Sequence, residues 1–217
     1  MRNLGLSLKI YVDENEGCMP PRAHPTGAQP NHPRWPHRLQ PSYADLKILL
    51  CPSEVDDPVV NNPPTLALGT QYPADFAPRS FIYNSFNDWY LDYYTRKGLT
   101  GSALTNWRQN AKTDEVGVPE SAVKDPSNTT VFGEKDRTSH HWYFDYETYE
   151  DITQLDQSKH NNMSRTGGGG GADYIFADGS ARYMRSGATV SPLNMWAVLD
   201  SWRNIGMPTG GSGVSGE

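Results

Sequence analysis

"GADYIFADGSARYM", residues 171–184, is the most patterned stretch of this chain, and it follows one of the least patterned, "HNNMSRTGGGGG" at 160–171. "ADYIFA" and "SARYM" read as two short strands around Asp178-Gly179, a pair favoured in the two-residue type I′ turn, where both central residues take positive φ. Tyr174 and Phe176 alternate with Ile175, so one face of this hairpin is aromatic. The glycines at 167–171 lack the Lys and Ser/Thr that make a phosphate cradle, and the run reads as a flexible insert.

Composition bounds what the hairpin belongs to. Leu, Ile, Val and Phe make up 38 of 217 residues, just below the level of roughly 20% at which disorder becomes a serious reading. Twelve Tyr and six Trp compensate, because their apolar bodies fill a core while their polar tips find partners. A net charge of −6, with 19 scattered basic residues, disfavours nucleic acid as a partner. No purely apolar run comes near the ~20 residues of a membrane span, and residues 1–17 carry no signal-peptide pattern.

The rest of the chain is loop-rich. Leu4, Leu8, Tyr11 and Val12 stand at helical spacing over residues 1–16, ended by Gly17. Seven prolines in 19–41 predict an extended surface loop. Ser42 is placed to cap a short helix carrying Leu46, Ile48, Leu49 and Leu50, and 56–80 reads as loop. "SFIYNSF" at 80–86 and "NTTVFGE" at 128–134 read as strands, with a short helix near 119–124 before the second. Residues 87–110 leave helix and irregular structure open. "SPLNMWAVLDSW" predicts a C-terminal helix with Ser191 at its cap, Pro192 in its first turn and an apolar stripe of Leu193, Trp196, Val198, Leu199 and Trp202. The expected fold is α+β, a helix packed on a small antiparallel sheet with long Pro/Gly-rich loops, over one domain at 1–205 with a flexible tail at 206–217.

Catalytic signals are weak. His140, His141 and His160 with Asp145, Asp173 and Asp178 could form a metal or acid–base cluster serving a hydrolase, but their spacings match no zinc-protease or facial-triad pattern. Asp178 could offer a carboxylate to Ca²⁺, although a hairpin turn wants Asp-Gly on backbone grounds alone. Cys18 and Cys51 have no CxxC or zinc-finger context, which leaves a single disulfide and two free thiols both open. The Trp and Tyr of "NDWYLDYY" and "HHWYFDYETYE" could stack on a carbohydrate or dock a protein. The plainer alternative is that they fill a core short of aliphatic residues.

Five segments in order resemble the prepilin-like proteins of the type II secretion and type IV pilus class that carry a C-terminal His-x9-Asp-Gly signature. "RNLGLSLKIYVDENEGCMPP" resembles the emerging part of the pilin helix, "LLCPSE" the Cys-Pro-Ser-Asp segment and "FIYNSF" the Tyr-x-x-Asn strand. "VKDPSNTTVFGE" resembles the Asp-Pro-Ser strand and "ADYIFADGSARYM" the Phe-Ala-Asp-Gly hairpin. The family-motif residues are then His160, Asp178 and Gly179. Seventeen residues separate His160 from Asp178 instead of nine, with the glycine insert at 166–171 and its neighbours accounting for the excess, and Ser180 replaces the common His after Asp-Gly.

The resemblance implies a non-catalytic filament or secretion-apparatus subunit, anchored in the inner membrane with a periplasmic or extracellular headgroup. Residues 1–16 are then the remnant of the pilin helix, whose apolar half and peptidase site lie upstream of Met1. Its partners are other pilin-like subunits and the inner-membrane secretion or pilus machinery. It implies a Cys18–Cys51 disulfide and no cofactor; Ca²⁺, which related major pseudopilins bind, stays unassigned because the acidic positions do not match that loop.

Overall fold

The computed structural model describes residues 1–24, 32–54, 56, 58–146, 149–160 and 170–204, with 149 and 150 described by backbone alone. Helix α1 (Arg2–Glu14) leads into a segment containing α2 (Trp35–Leu39), a 3₁₀ turn at Leu46–Leu49 and α3 (Leu66–Gln71). Strand β1 (Phe81–Asn84) is followed by helices α4 (Asn87–Arg96), α5 (Gly101–Thr105) and α6 (Trp107–Ala111). Strands β2 (Thr130–Glu134) and β3 (Tyr143–Phe144), helix α7 (Tyr149–Ile152), the hairpin β4 (Gly171–Phe176) and β5 (Ala181–Arg185), and a last turn of helix α8 (Asp200–Arg203) complete it.

The sheet runs β3-β1-β2-β4-β5 and is mixed, since β3 lies parallel to β1 while the other pairs are antiparallel. The expected combination of helices with a small sheet is present, and the purely antiparallel sheet expected is corrected to a mixed one by the parallel β1–β3 pair. Alternation along the strands divides the core in two. Phe81, Tyr83, Phe132 and Ile175 join Leu4, Leu8 and Val12 of α1, Trp35, Leu39 and the α4 aromatics. Ile82, Phe144, Tyr174 and Phe176 pack on the other face with Val190, Trp196 and Ala197. Two residues of "FIYN" thus serve one core and the residue between them the other, so this sheet is covered on both sides.

Glycines mark the closest approaches. A Cβ on Gly133 would stand 2.9 Å from both Trp196 and Tyr174, so a side chain there would push the indole off β2. A Cβ on Gly5 would stand 2.7 Å from the Gly179 carbonyl and 3.3 Å from Ile175, which lets α1 touch the tip of the hairpin.

Several sequence expectations change. The hairpin connection is not a two-residue type I′ turn: Phe176 N–H bonds the Ser180 carbonyl across a three-residue loop, and Gly179 alone has positive φ, at 84°. The glycine takes the left-handed position of a bulged turn and Asp178 keeps negative φ, with its carboxylate accepting from Ser180 N–H at 2.9 Å. Gly171 is not part of an idle insert but opens β4, where a Cβ would lie 2.3 Å from the Met184 carbonyl, and one on Gly170 would meet Ser158 at 2.9 Å. Residues 166–169, and the tail at 206–217, lie outside the described residues.

The proline-rich stretch is not only extended loop. Pro36 sits in the first turn of α2, where its missing N–H costs nothing, and Trp35 and Leu39 are fully buried. Asp45, not Ser42, caps the turn at Leu46–Leu49, and Thr65 caps α3 within the stretch read as loop. The C-terminal helix predicted from Ser191 reduces to α8. Val198 and Leu199 donate their N–H groups to the Asp88 carboxylate at 2.7 and 2.6 Å, so these amides are taken by a side chain of α4 instead of a helical ladder. Trp196, Ala197 and Val198 are consecutively buried, a pattern no amphipathic helix gives.

Gly133→Ala should lower unfolding stability in urea by about 1–3 kcal/mol, the usual cost of overpacking a filled core. An unchanged midpoint would show that Trp196 can retreat from β2 without loss.

Candidate functional site

The β1–β2 pairing and an extra bridge at the mouth of β4 gather the most chemically distinctive cluster. Cys51 follows the turn at Leu46–Leu49, its N–H bonded to Ser80 Oγ at 3.0 Å while Ser80 N–H bonds the Leu49 carbonyl. Glu134 ends β2 opposite Phe81. His160 exchanges both backbone hydrogen bonds with Gly171. Asp173 stands in β4 next to the Gly133–Tyr174 pair, and its N–H donates to Glu134 Oε2 at 2.8 Å.

Their side chains converge. His160 Nε2 lies 2.9 and 3.0 Å from the two Glu134 oxygens, 3.7 Å from Cys51 Sγ and 3.8 Å from Asp173 Oδ2. Cys51, Glu134 and His160 are the only such set of three His, Cys, Asp or Glu donors among the described residues, with all ligand atoms within 4.8 Å of one another. Glu134 has no solvent exposure, whereas the side chains of His160 and Asp173 are 22% and 42% exposed. The cluster is closed at its floor and open on the Asp173 side. Beside it, Lys159 and Ser80 Oγ both bond Glu54, at 2.7 and 2.6 Å, so both the Cys and the Glu of "CPSE" are held.

This geometry does not suit a cysteine nucleophile. A general base takes the thiol proton on one ring nitrogen while a carboxylate orients the other. Here Nε2 faces both the sulfur and Glu134. Burial, then the hydrogen bond to Glu134, pushes the Cys51 thiol up to about 11, which leaves it protonated at neutral pH.

The other expected site residues are dispersed. His160 and Asp173 meet, but His140 pairs with Asn61 at 2.6 Å and His141 with Asp151 at 3.3 Å. Asp178 and Gly179 lie beyond the far end of β4 from His160, roughly 20 Å away at 3.3 Å per strand residue. Cys18 and Cys51 are unbonded thiols. The disulfide is corrected accordingly: Cys18 Sγ turns to the Glu16 carbonyl, while Cys51 Sγ faces His160. Trp89, Tyr90, Tyr94, Tyr143, Phe144 and Tyr146 are buried, so these aromatics fill the core and present no stacking platform. Trp142 is half-buried, with the guanidinium carbons of Arg34 and Arg79 3.9 and 4.3 Å from its ring centre.

Asp145 is an anchor, accepting from Arg22 at 2.8 Å and Asn87 at 3.2 Å, with Arg108 3.5 Å away. Burial works to raise its carboxyl, but the charges of Arg22 and Arg108 and the hydrogen bonds of Ser85 and Arg22 hold it below the usual range. Glu134 was missed as a site residue. Its signal was a carboxylate in the otherwise apolar "TVFGE", where a buried charge must have partners.

Comparison with family models, with curated proteins and with solved structures finds no match to this chain.

Two measurements check the site's chemistry. Alkylation of the native protein at neutral pH, read by peptide mass spectrometry, should label Cys18 well before Cys51, and both only together after unfolding; equal native rates would contradict the buried, protonated thiol. Asp145→Asn should cost about 3–5 kcal/mol at neutral pH, since it strands a buried arginine. A depressed carboxyl contributes stability above its unfolded pKa and loses it as pH falls through the folded one. The gap between variant and parent should therefore close in acid unfolding curves, and a gap independent of pH would contradict the ion pair.

Proposed function

We propose that this chain is the headgroup of a pilin-like structural subunit, working by assembly and not by catalysis. What carries the reading is that the segments bearing the resemblance touch one another, although they are far apart in sequence. Gly5 of "NLGLSL" packs on Gly179 of "FADG". Cys51 of "CPSE" meets His160. Asn84 of "FIYN" donates to the Thr130 carbonyl of the "NTTVFGE" strand at 2.8 Å. Motifs joined this way act as structural joints, which is how landmarks of a scaffold behave.

α1 adds a second support. Leu4, Leu8 and Val12 are buried, while Leu6 is 60% exposed beside a groove it shares with Asn3, Ser7, Tyr43 and Ile48. A helix sunk on one face and apolar on part of the other suits packing against a neighbouring subunit. None of the described helices is long and apolar enough to cross a membrane.

The native gene decides it. It should encode an apolar run of about 20 residues behind a basic leader and directly before Met1, and the full-length product should be cut by a prepilin peptidase and appear in filaments by electron microscopy. A gene without that run contradicts the proposal.

A further inference from the structure

The donors at the mouth of β4 have the chemistry and spacing of a metal centre. We propose that Cys51, Glu134 and His160, completed by Asp173 from the solvent side, form a structural binding site for a thiophilic divalent ion, zinc being the best fit. A thiolate, an imidazole and carboxylates are borderline-to-soft ligands that select zinc over calcium or magnesium. With Zn–S about 2.3 Å and Zn–N about 2.0–2.1 Å, a tetrahedral centre puts sulfur and nitrogen roughly 3.6 Å apart, and Cys51 Sγ and His160 Nε2 stand 3.7 Å apart. The nitrogen–oxygen edge would be roughly 3.3 Å on the same bond lengths, a few tenths longer than the hydrogen-bonded 2.9 and 3.0 Å observed.

Charge and position agree with this. The thiolate and the Glu134 carboxylate neutralise a dication at the buried floor, so no net charge is stranded there. Ligation releases the thiol proton to solvent and leaves the neutral imidazole with its proton on Nδ1. Glu134 is already oriented by Asp173 N–H, and Cys51 by Ser80. The ion would tie the "CPSE" segment, the end of β2 and the entry to β4 into one joint, whatever the chain assembles with.

Cobalt(II) titration of the full-length chain, reduced and metal-free, tests it. The expected result is one equivalent bound, with a thiolate-to-cobalt charge-transfer band in the near ultraviolet and intense tetrahedral d–d bands in the visible, both bleached by zinc. Cys18→Ser should keep the spectrum and Cys51→Ser should lose the charge-transfer band. Because the chain has two cysteines, retention of the band in Cys18→Ser assigns the sulfur even where Cys51→Ser fails to fold. A parent protein with no charge-transfer band, or a band that survives Cys51→Ser, overturns the site.

Discussion

A carboxylate or carboxamide without solvent exposure must find its partners inside the protein, and in this chain three of them find backbone groups far away in sequence. Asn84 and Glu134 are buried at the ends of β1 and β2, and Asp88 is buried in the first turn of α4. Asn84 donates to the carbonyls of Thr130 and Trp196 and accepts from Phe86 N–H. Asp88 accepts from Val198 and Leu199, and Glu134 from Asp173. Each is a polar side chain that ties together backbone distant in sequence, and each would leave donors or acceptors orphaned at about 1–3 kcal/mol if removed.

These anchors allow a chain poor in aliphatic residues to close two cores. Aromatic rings supply the volume: Trp35, Phe132 and Tyr83 form one packed group, Tyr90 stacks on Trp107 at an interplanar angle of 10°, and Trp196 packs on Phe144 with ring centres 4.4 Å apart. Rings bring polar tips with them. Tyr90 OH donates to the Val116 carbonyl and Trp35 Nε1 to the Trp142 carbonyl, so irregular backbone is satisfied by the same residues that fill the interior.

Local pattern revealed the elements that depend on local chemistry. Alternation around Asp178-Gly179 identified β4 and β5, strand-favouring composition the strands in "FIYN" and "TVFGE", and the 3,4 spacing of Leu4, Leu8 and Val12 identified α1. It failed where a distant side chain takes over the backbone. The spacing from Leu193 to Trp202 looks helical, yet Asp88, more than a hundred residues earlier, claims the amides that a helix would use. The burial of Trp35 was hidden by its prolines. The site was half legible: His160 stood out as a motif residue, but its partners Cys51 and Glu134 lie 109 and 26 residues away, and only strand pairing brings them together. No short ligand motif marks such a site.

A scaffold whose sequence landmarks are its joints fits a subunit that presents surfaces to neighbours, with its buried carboxylates spent on architecture. That account turns on side-chain anchoring of irregular segments, and amide hydrogen exchange of Val198 and Leu199 tests it most directly. Neither amide enters a helical or strand ladder, so the account predicts that both exchange as slowly as amides of β2 and β4, through near-global opening. Exchange at the rate of exposed turns would contradict it.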